Sequence, residues 1–241
     1  MMNQTKFPRL IIGLLLFLFL RVNVLAYEAP YNNPNFRNVL NKAKLQFPIN
    51  KIRIGYGRFQ NKAKPYFYLE KKRYMTFKLK KERNTPIIRA ELRLGVKDWS
   101  VYTLRPKILN AEIHLSNPKG LNQITLLQVH AVNPSFPLLR VTWLRIHRGI
   151  KNHIWAIFRP SPYHPKIRYV DLGKREGKKF TRYTLKILKG NLEVWVNWKP
   201  SIKQSLALWK NTKNYFKAGL YLSGKGDYGL GKARYRLLEY Y

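Results

Sequence analysis

The feature that most limits what this chain can fold into is a period of two. Met75, Phe77 and Leu79 alternate with Thr76, Lys78 and Lys80, and Leu109, Ala111, Ile113 and Leu115 alternate with Asn110, Glu112 and His114. The same rhythm runs through Tyr183, Leu185 and Ile187, and through Leu192, Val194 and Val196. Successive side chains of a strand point to opposite faces, so each run carries one face for a core and one for solvent. Residues 138–146 (LLRVTWLRI) and 153–159 (HIWAIFR), rich in β-branched and aromatic side chains, predict further strands. Lys189-Gly190-Asn191 predicts a tight hairpin between two of the runs. Helix is expected only over 34–44 and 202–210. Residues 160–166 (PSPYHPK) predict a loop, and Gly224, Gly226, Gly229 and Gly231 a flexible turn. Many short antiparallel strands with no longer internal repeat predict an all-β sandwich or jelly roll. The chain has no cysteine, so packing alone must hold that sandwich, and its 241 residues suffice for one domain.

The first residues read as a secretory leader. Lys6 and Arg9 precede the apolar run Ile11 to Leu20, and Val24-Leu25-Ala26 suits cleavage after Ala26. Residues 1–26 are therefore expected to be a signal peptide and 27–241 a single secreted or periplasmic domain. The run is about ten residues long, against roughly 20 for a bilayer span, so no stable membrane insertion is expected after cleavage. Arg21 directly after the run leaves an uncleaved anchor as the alternative.

Charge narrows the partner. Lys and Arg number 47 against 11 Asp and Glu, a formal net charge of +36 of which the leader's Lys6, Arg9 and Arg21 carry little. Such a surface attracts polyanions through salt-dependent forces. Outside the cytoplasm these are acidic polysaccharides, anionic lipids, teichoic acids or free DNA. A lysine-rich composition with no message is the bland alternative. The absence of a nucleic-acid motif argues against nucleic acid.

Three short segments carry chemistry. In Arg89-Ala90-Glu91-Leu92-Arg93, strand spacing puts Arg89, Glu91 and Arg93 on one face, which suits a carboxylate ligand; taken alone, the segment fits better a surface ladder with Glu91 paired to both arginines. In Gln128-Val129-His130, an amide and an imidazole share a face. In Tyr215-Phe216-Lys217-Ala218-Gly219-Leu220-Tyr221, two phenols, a lysine and a gap share a face, open to a sugar chain or to an edge-strand role.

Arg-x-Glu-Leu-Arg, then Gln-Val-His, then Tyr-Phe-Lys-Ala-Gly-x-Tyr, in this order, resembles the alginate lyases of polysaccharide lyase family 7. Lys44-Leu45-Gln46-Phe47-Pro48, Trp99 and the stretch from Phe180 to Asn197 extend the resemblance over roughly 40 to 241. It implies a β-jelly roll of two antiparallel sheets whose concave sheet forms an open cleft. It implies a lyase that cuts a polyuronate by β-elimination, leaving 4,5-unsaturated ends. Arg89, Gln128, His130 and Tyr221 are then the catalytic residues, and Glu91, Arg93, Tyr215 and Lys217 bind substrate. Val129, rather than Ile, is associated in the family with mannuronate-rich polymer. Leu222-Ser223 stand where the family usually has Asn-Gln, so a sugar contact from an amide at 222 is expected to be missing. Asn197 is followed by Trp198 where the family has Gly.

Hydrolysis is disfavoured: it generally needs two flanking carboxyl groups, and the few acids here are not closely paired. No cofactor and no metal are expected, because no thiolate, HExxH, Ca²⁺-loop or phosphate-loop pattern occurs. The expected partner is an acidic polysaccharide acting on a monomer. A glucuronan lyase and a noncatalytic polyanion binder on the same fold stay open at this point.

Overall fold

The computed structural model describes residues 27–164 and 166–241; the expected leader, 1–26, lies outside the described residues. After a short helix, α1 (Pro34–Leu40), the strands follow in the order β1 (Ala43–Gln46), β2 (Ile52–Ile54), β3 (Phe67–Glu70), β4 (Tyr74–Lys81), β5 (Ile88–Ser100), β6 (Lys107–Leu115) and β7 (Gln123–Ala131). The remainder are β8 (Pro137–His147), β9 (Ile150–Phe158), β10 (Arg168–Lys174), β11 (Thr181–Leu188), β12 (Asn191–Val196), β13 (Lys199–Ser205), β14 (Lys213–Leu222) and β15 (Gly229–Tyr240). All named strand pairs are antiparallel.

They form a jelly-roll sandwich of two sheets. One has eight strands in the order β10-β9-β8-β7-β14-β5-β1-β2; the other has seven, β13-β12-β11-β6-β15-β4-β3. The apolar positions of the alternating runs meet between them. Leu92, Leu94, Val129, Val141, Phe216 and Leu220 come from one sheet and Phe77, Leu109, Ala111, Leu185, Val194 and Tyr235 from the other. Burial of this continuous apolar layer, at about 25 cal/mol per Å², drives folding without disulfides.

Local chemistry sets the boundaries. The side chain of Asn33 caps α1 by accepting from the Asn35 amide, and Pro34 opens the helix. The helix ends at Leu40, short of the expected 44, because Ala43 and Leu45 are drawn into β1 as buried strand residues. The hairpin over 189–191 forms as expected: Lys189 and Gly190 both have positive φ, matching the twist of β11 and β12. The expected helix over 202–210 does not form. Residues through Ser205 pair with β12 as an edge strand, and only Ala207–Trp209 make a helical turn. Pairing with a sheet, and burial of Leu206 and Trp209, override the local helical pattern. The glycine-rich segment is a turn only at its start, since Gly229 and Gly231 already belong to β15.

Candidate active site

The three motif strands are neighbours: β14 lies between β7 and β5 at the centre of the eight-stranded sheet. Register brings their polar faces into rows. Lys217 pairs with Arg93 on one side and Gln128 on the other; Tyr215 pairs with His130; Tyr221 pairs with Arg89. Gly219 lies opposite Glu91, and β5 approaches so closely that a Cβ there would sit 2.2 Å from the Ala90 carbonyl oxygen. Glycine is required at that contact, and its φ of +149° adds to the requirement.

A polar layer lies just beneath the surface. Glu91 has 0% exposure, and its carboxylate accepts from Gln128 Nε2 at 2.5 Å and Lys217 Nζ at 3.1 Å, with Arg89 at 3.5 Å. Lys217 is 2% exposed. Burial lowers its pKa, and Glu91 opposes that by favouring the ammonium. Both residues therefore sit under the site, where Glu91 ties together the strands that carry Arg89, Gln128 and Lys217. The internal pairing reading of Arg89 and Glu91 is realised, but Arg93 is engaged elsewhere. Its guanidinium bonds Asp98 at 2.5 Å and lies 3.8 Å from the Tyr215 ring centroid.

Above this layer a pocket of about 190 Å³ opens, lined by Arg89, Gln128, His130, Pro137, Arg140, Arg159 and Tyr221. The Arg89 guanidinium lies over the Tyr221 ring, 4.6 Å from its centroid. His130 Nδ1 is 2.7 Å from the Ala131 carbonyl, so Nδ1 carries the proton and Nε2 the lone pair. Tyr215 stacks beside the imidazole at 5.3 Å, with its hydroxyl 3.2 Å from Nδ1. Burial, followed by the Lys217 charge, lowers the His130 pKa to about 4. The imidazole is neutral near pH 7. Burial likewise raises the Tyr215 phenol.

The pocket thus joins four of the eight residues singled out from sequence, Arg89, Gln128, His130 and Tyr221, and adds two that sequence missed. Arg140 sits opposite Gln128 on β8, and Arg159 follows β9. Arg140 makes no ion pair among the described residues. Its signal was present: Arg140 and Thr142 are polar positions at strand spacing between the buried Leu139, Val141 and Trp143. Burial lowers its pKa, while Tyr221 favours its charge. The sugar contact expected to be missing at 222 is not one the pocket loses, because Leu222 is buried and faces the core. An amide there would point away from the pocket. Val129 also faces the core, so it touches the pocket only through Gln128 and His130. A larger recess of about 500 Å³, with Tyr102, Tyr163, Leu208 and Lys210 among its walls, contains none of the motif residues. Among the described residues, no three of His, Asp or Glu converge as a cation would require.

Chemically, the pocket offers guanidinium and amide donors for an anion, an oriented neutral imidazole and a phenol on one surface. Comparisons with known proteins agree with this arrangement. The family model described as "Alginate lyase" matches residues 39–240. An alginate lyase of Photobacterium sp. (strain ATCC 43367) is 26% identical over 250 residues, covering 86% of this chain and 87% of the relative. The structure of alginate lyase AlyC3 superposes with a TM-score of 0.80 at 25% identity, covering 90% of this chain and 96% of that one. AlyC3 in complex with dimannuronate gives 0.79, also at 25% identity, covering 90% and 95%. Alginate lyase A1-II′, of polysaccharide lyase family 7, shares the fold at 17% identity, with a TM-score of 0.72 and coverage of 86% and 97%. With a family match spanning nearly all the described chain, and the three motifs meeting in one pocket, this chain belongs to the alginate lyase family of polysaccharide lyases.

Proposed function

We propose that this protein depolymerises alginate, with a preference for mannuronate-rich chains, by β-elimination in the Arg89–Gln128–His130–Tyr221 pocket, and that the leader delivers it outside the cytoplasm as a monomer. The observation that carries this reading is the convergence of those four side chains on one surface above a buried Glu91. Two features support the mannuronate preference: the resemblance attached to Val129, and the dimannuronate bound by AlyC3.

The chemistry follows from the weak acidity of C5–H. Removing that proton pushes charge into the adjacent carboxylate, so the carboxylate must be held by donors that strengthen as charge grows. Arg89 and Gln128 fill that role, with Arg140 and Arg159 adding positive potential around them. The electron pair from C5–H becomes the C4=C5 bond, the C4–O bond breaks, and the departing oxygen takes a proton. Tyr221 supplies that proton. When the C5 proton and the leaving oxygen lie on the same side, the Tyr221 oxygen first takes the C5 proton as phenolate. When they lie on opposite sides, Nε2 of neutral His130 takes it. Glu91 and Lys217 act from beneath as positioning residues, and Arg93 with Tyr215 braces the His130 side.

The test is a panel of polymannuronate, polyguluronate and glucuronan, read by ultraviolet absorbance of the unsaturated product and by product sizing. Unsaturated ends from polymannuronate in excess of the others are expected. Binding to all three with no unsaturated product would overturn the lyase reading.

A further inference from the structure

Tyr235 belongs to β15 in the seven-stranded sheet, on the far side of the core from the pocket. Its ring is 0% exposed and packs edge-on against Phe77. Its hydroxyl, however, reaches the backbone of the eight-stranded sheet. It lies 2.9 Å from the Gly219 amide nitrogen, 2.9 Å from the Gly219 carbonyl oxygen and 2.8 Å from the Leu126 carbonyl oxygen.

Those three backbone groups are exposed to the core by an irregularity of the catalytic strands. β14 and β7 pair continuously from Asn214 with Ala131 to Ala218 with Leu127, and pairing resumes only at Tyr221 with Thr125. Two residues, Gly219 and Leu220, oppose Leu126 alone. On the other flank of β7, Thr125 pairs with Thr142 and Leu127 with Val141, so Leu126 again has no counterpart. This is a β-bulge, which leaves ladder groups unpaired and re-aims side chains. Its mark in the sequence is two consecutive buried leucines, Leu126 and Leu127, where strict alternation would allow one. The bulge lets Gln128 and Thr125, three residues apart, share a face, and so aligns Tyr221 with Gln128 and His130.

Unpaired amide and carbonyl groups in an apolar core are costly, because they lose their bonds to water and gain none in return. A phenol satisfies them here: its oxygen accepts from the Gly219 N–H while its proton is shared between the two carbonyls. Burial raises the Tyr235 pKa far above the ordinary phenol value, so the donor is retained.

We propose that Tyr235 is a positioning residue for catalysis: its hydroxyl locks the β7–β14 bulge from the opposite sheet and so sets where the Tyr221 hydroxyl stands over the substrate. The proposal rests on the role assigned to Tyr221 above. Tyr235→Phe removes one oxygen and keeps the ring packing. The expected result is a fall in kcat of about 10- to 100-fold, the cost of a misplacement near 1 Å. The dissociation constant for a mannuronate oligomer should stay within twofold, because Arg89 and Gln128 are untouched. Tyr183→Phe, an equally deep phenol on β11, a strand hydrogen-bonded to neither β7 nor β14, is the control and should leave kcat unchanged. Wild-type kcat in Tyr235→Phe, or a parallel loss in both phenol variants, would overturn the proposal. Gly219→Ala strikes the same bulge from the catalytic sheet but also presses on Ala90 and Glu91 beside Arg89, so it should lower kcat and weaken binding together; wild-type turnover there would also overturn the proposal. In the unaltered protein the Gly219 amide should be among the slowest to exchange with deuterium, and fast exchange would refute the lock. If Tyr221→Phe keeps full activity, the site assignment itself fails. If Tyr221→Phe is inactive while Tyr235→Phe is normal, only the lock fails.

Discussion

The outer faces of the two sheets are built from the same residue types and treat charge in opposite ways. On the seven-stranded sheet, acids and bases neutralise one another. Glu70 is bonded by Lys232 and Arg234, Glu112 by Arg182 and Arg236, and Glu193 by Lys186. On the eight-stranded sheet, the acid nearest the pocket, Glu91, is turned inward beneath the surface, while Arg89, Arg140 and Arg159 converge above it. One face spends its few carboxylates on pairing. The other pairs acids only away from the pocket, as in Arg93 with Asp98; at the pocket it keeps Glu91 from solvent and leaves donors for an incoming anion. In a chain this rich in cations, function lies where the pairing is incomplete.

Breaking the reactive face should give the largest effect. Tyr221→Phe is expected to fold and to bind oligomers while kcat falls by about 10²–10⁴, as measured by product absorbance. An active variant would erase the chemical difference between the faces.

Glu91→Gln should follow. It strands Lys217 in the core, and losing one partner of a buried pair costs roughly 3–5 kcal/mol. Urea unfolding is the measurement, and a loss below that of any outer-face pair would mean the buried layer is not what holds the site.

Arg140→Ala sharpens the comparison at the pocket rim. A charge-assisted contact is worth enough to raise KM for polymer by roughly tenfold. If Arg140 serves only packing, stability falls and KM does not change.

The pH profile tests the same face. The His130 pKa is about 4 when folded, below its ordinary value of 6.5. A depressed histidine pKa means that the unfolded chain binds the extra proton first, so stability declines as pH falls from about 6.5 towards 4. The imidazole meanwhile stays neutral, so an acid limb of kcat governed by His130 should lie near 4. A limb near 6.5 that vanishes in His130→Gln would contradict the buried, neutral imidazole.

The smallest effect belongs to the paired face. Burial raises the Glu70 carboxyl, but hydrogen bonds from Arg234 and Lys232 outweigh it and hold the pKa at about 2, below the ordinary 4.5. The stabilisation is present above the ordinary value and is lost as pH falls from about 4.5 through 2. Because the network is partly solvated, Glu70→Gln should cost about 1 kcal/mol in thermal or urea unfolding. Its kcat should equal that of the unaltered protein, and a drop would tie the two faces together.

Much of this was legible in the chain itself. Alternation marked β4, β6, β11 and β12, and their apolar positions are the core positions observed. Arg89, Gln128, His130 and Tyr221 were each readable as members of a polar strand face. Arg140 was legible as a polar position but not as a pocket residue, because nothing local says that β8 adjoins β7 with Arg140 opposite Gln128. Residues 202–210 misled because a helical pattern describes only local preference, whereas β12 supplied a strand edge to pair with.

Period two is a property of neighbours along the chain, so a β-sandwich with three polar strand faces was readable before any contact was known. The tertiary structure alone decided which members of those faces meet solvent. Glu91 and Lys217 share a face with Arg89 and Tyr221, yet close packing against Gly219 and the pull of a shared ion pair draw them under it. It alone, too, decided that Leu126 is an extra residue: a bulge exists only relative to partner strands, and these come from segments far apart in sequence.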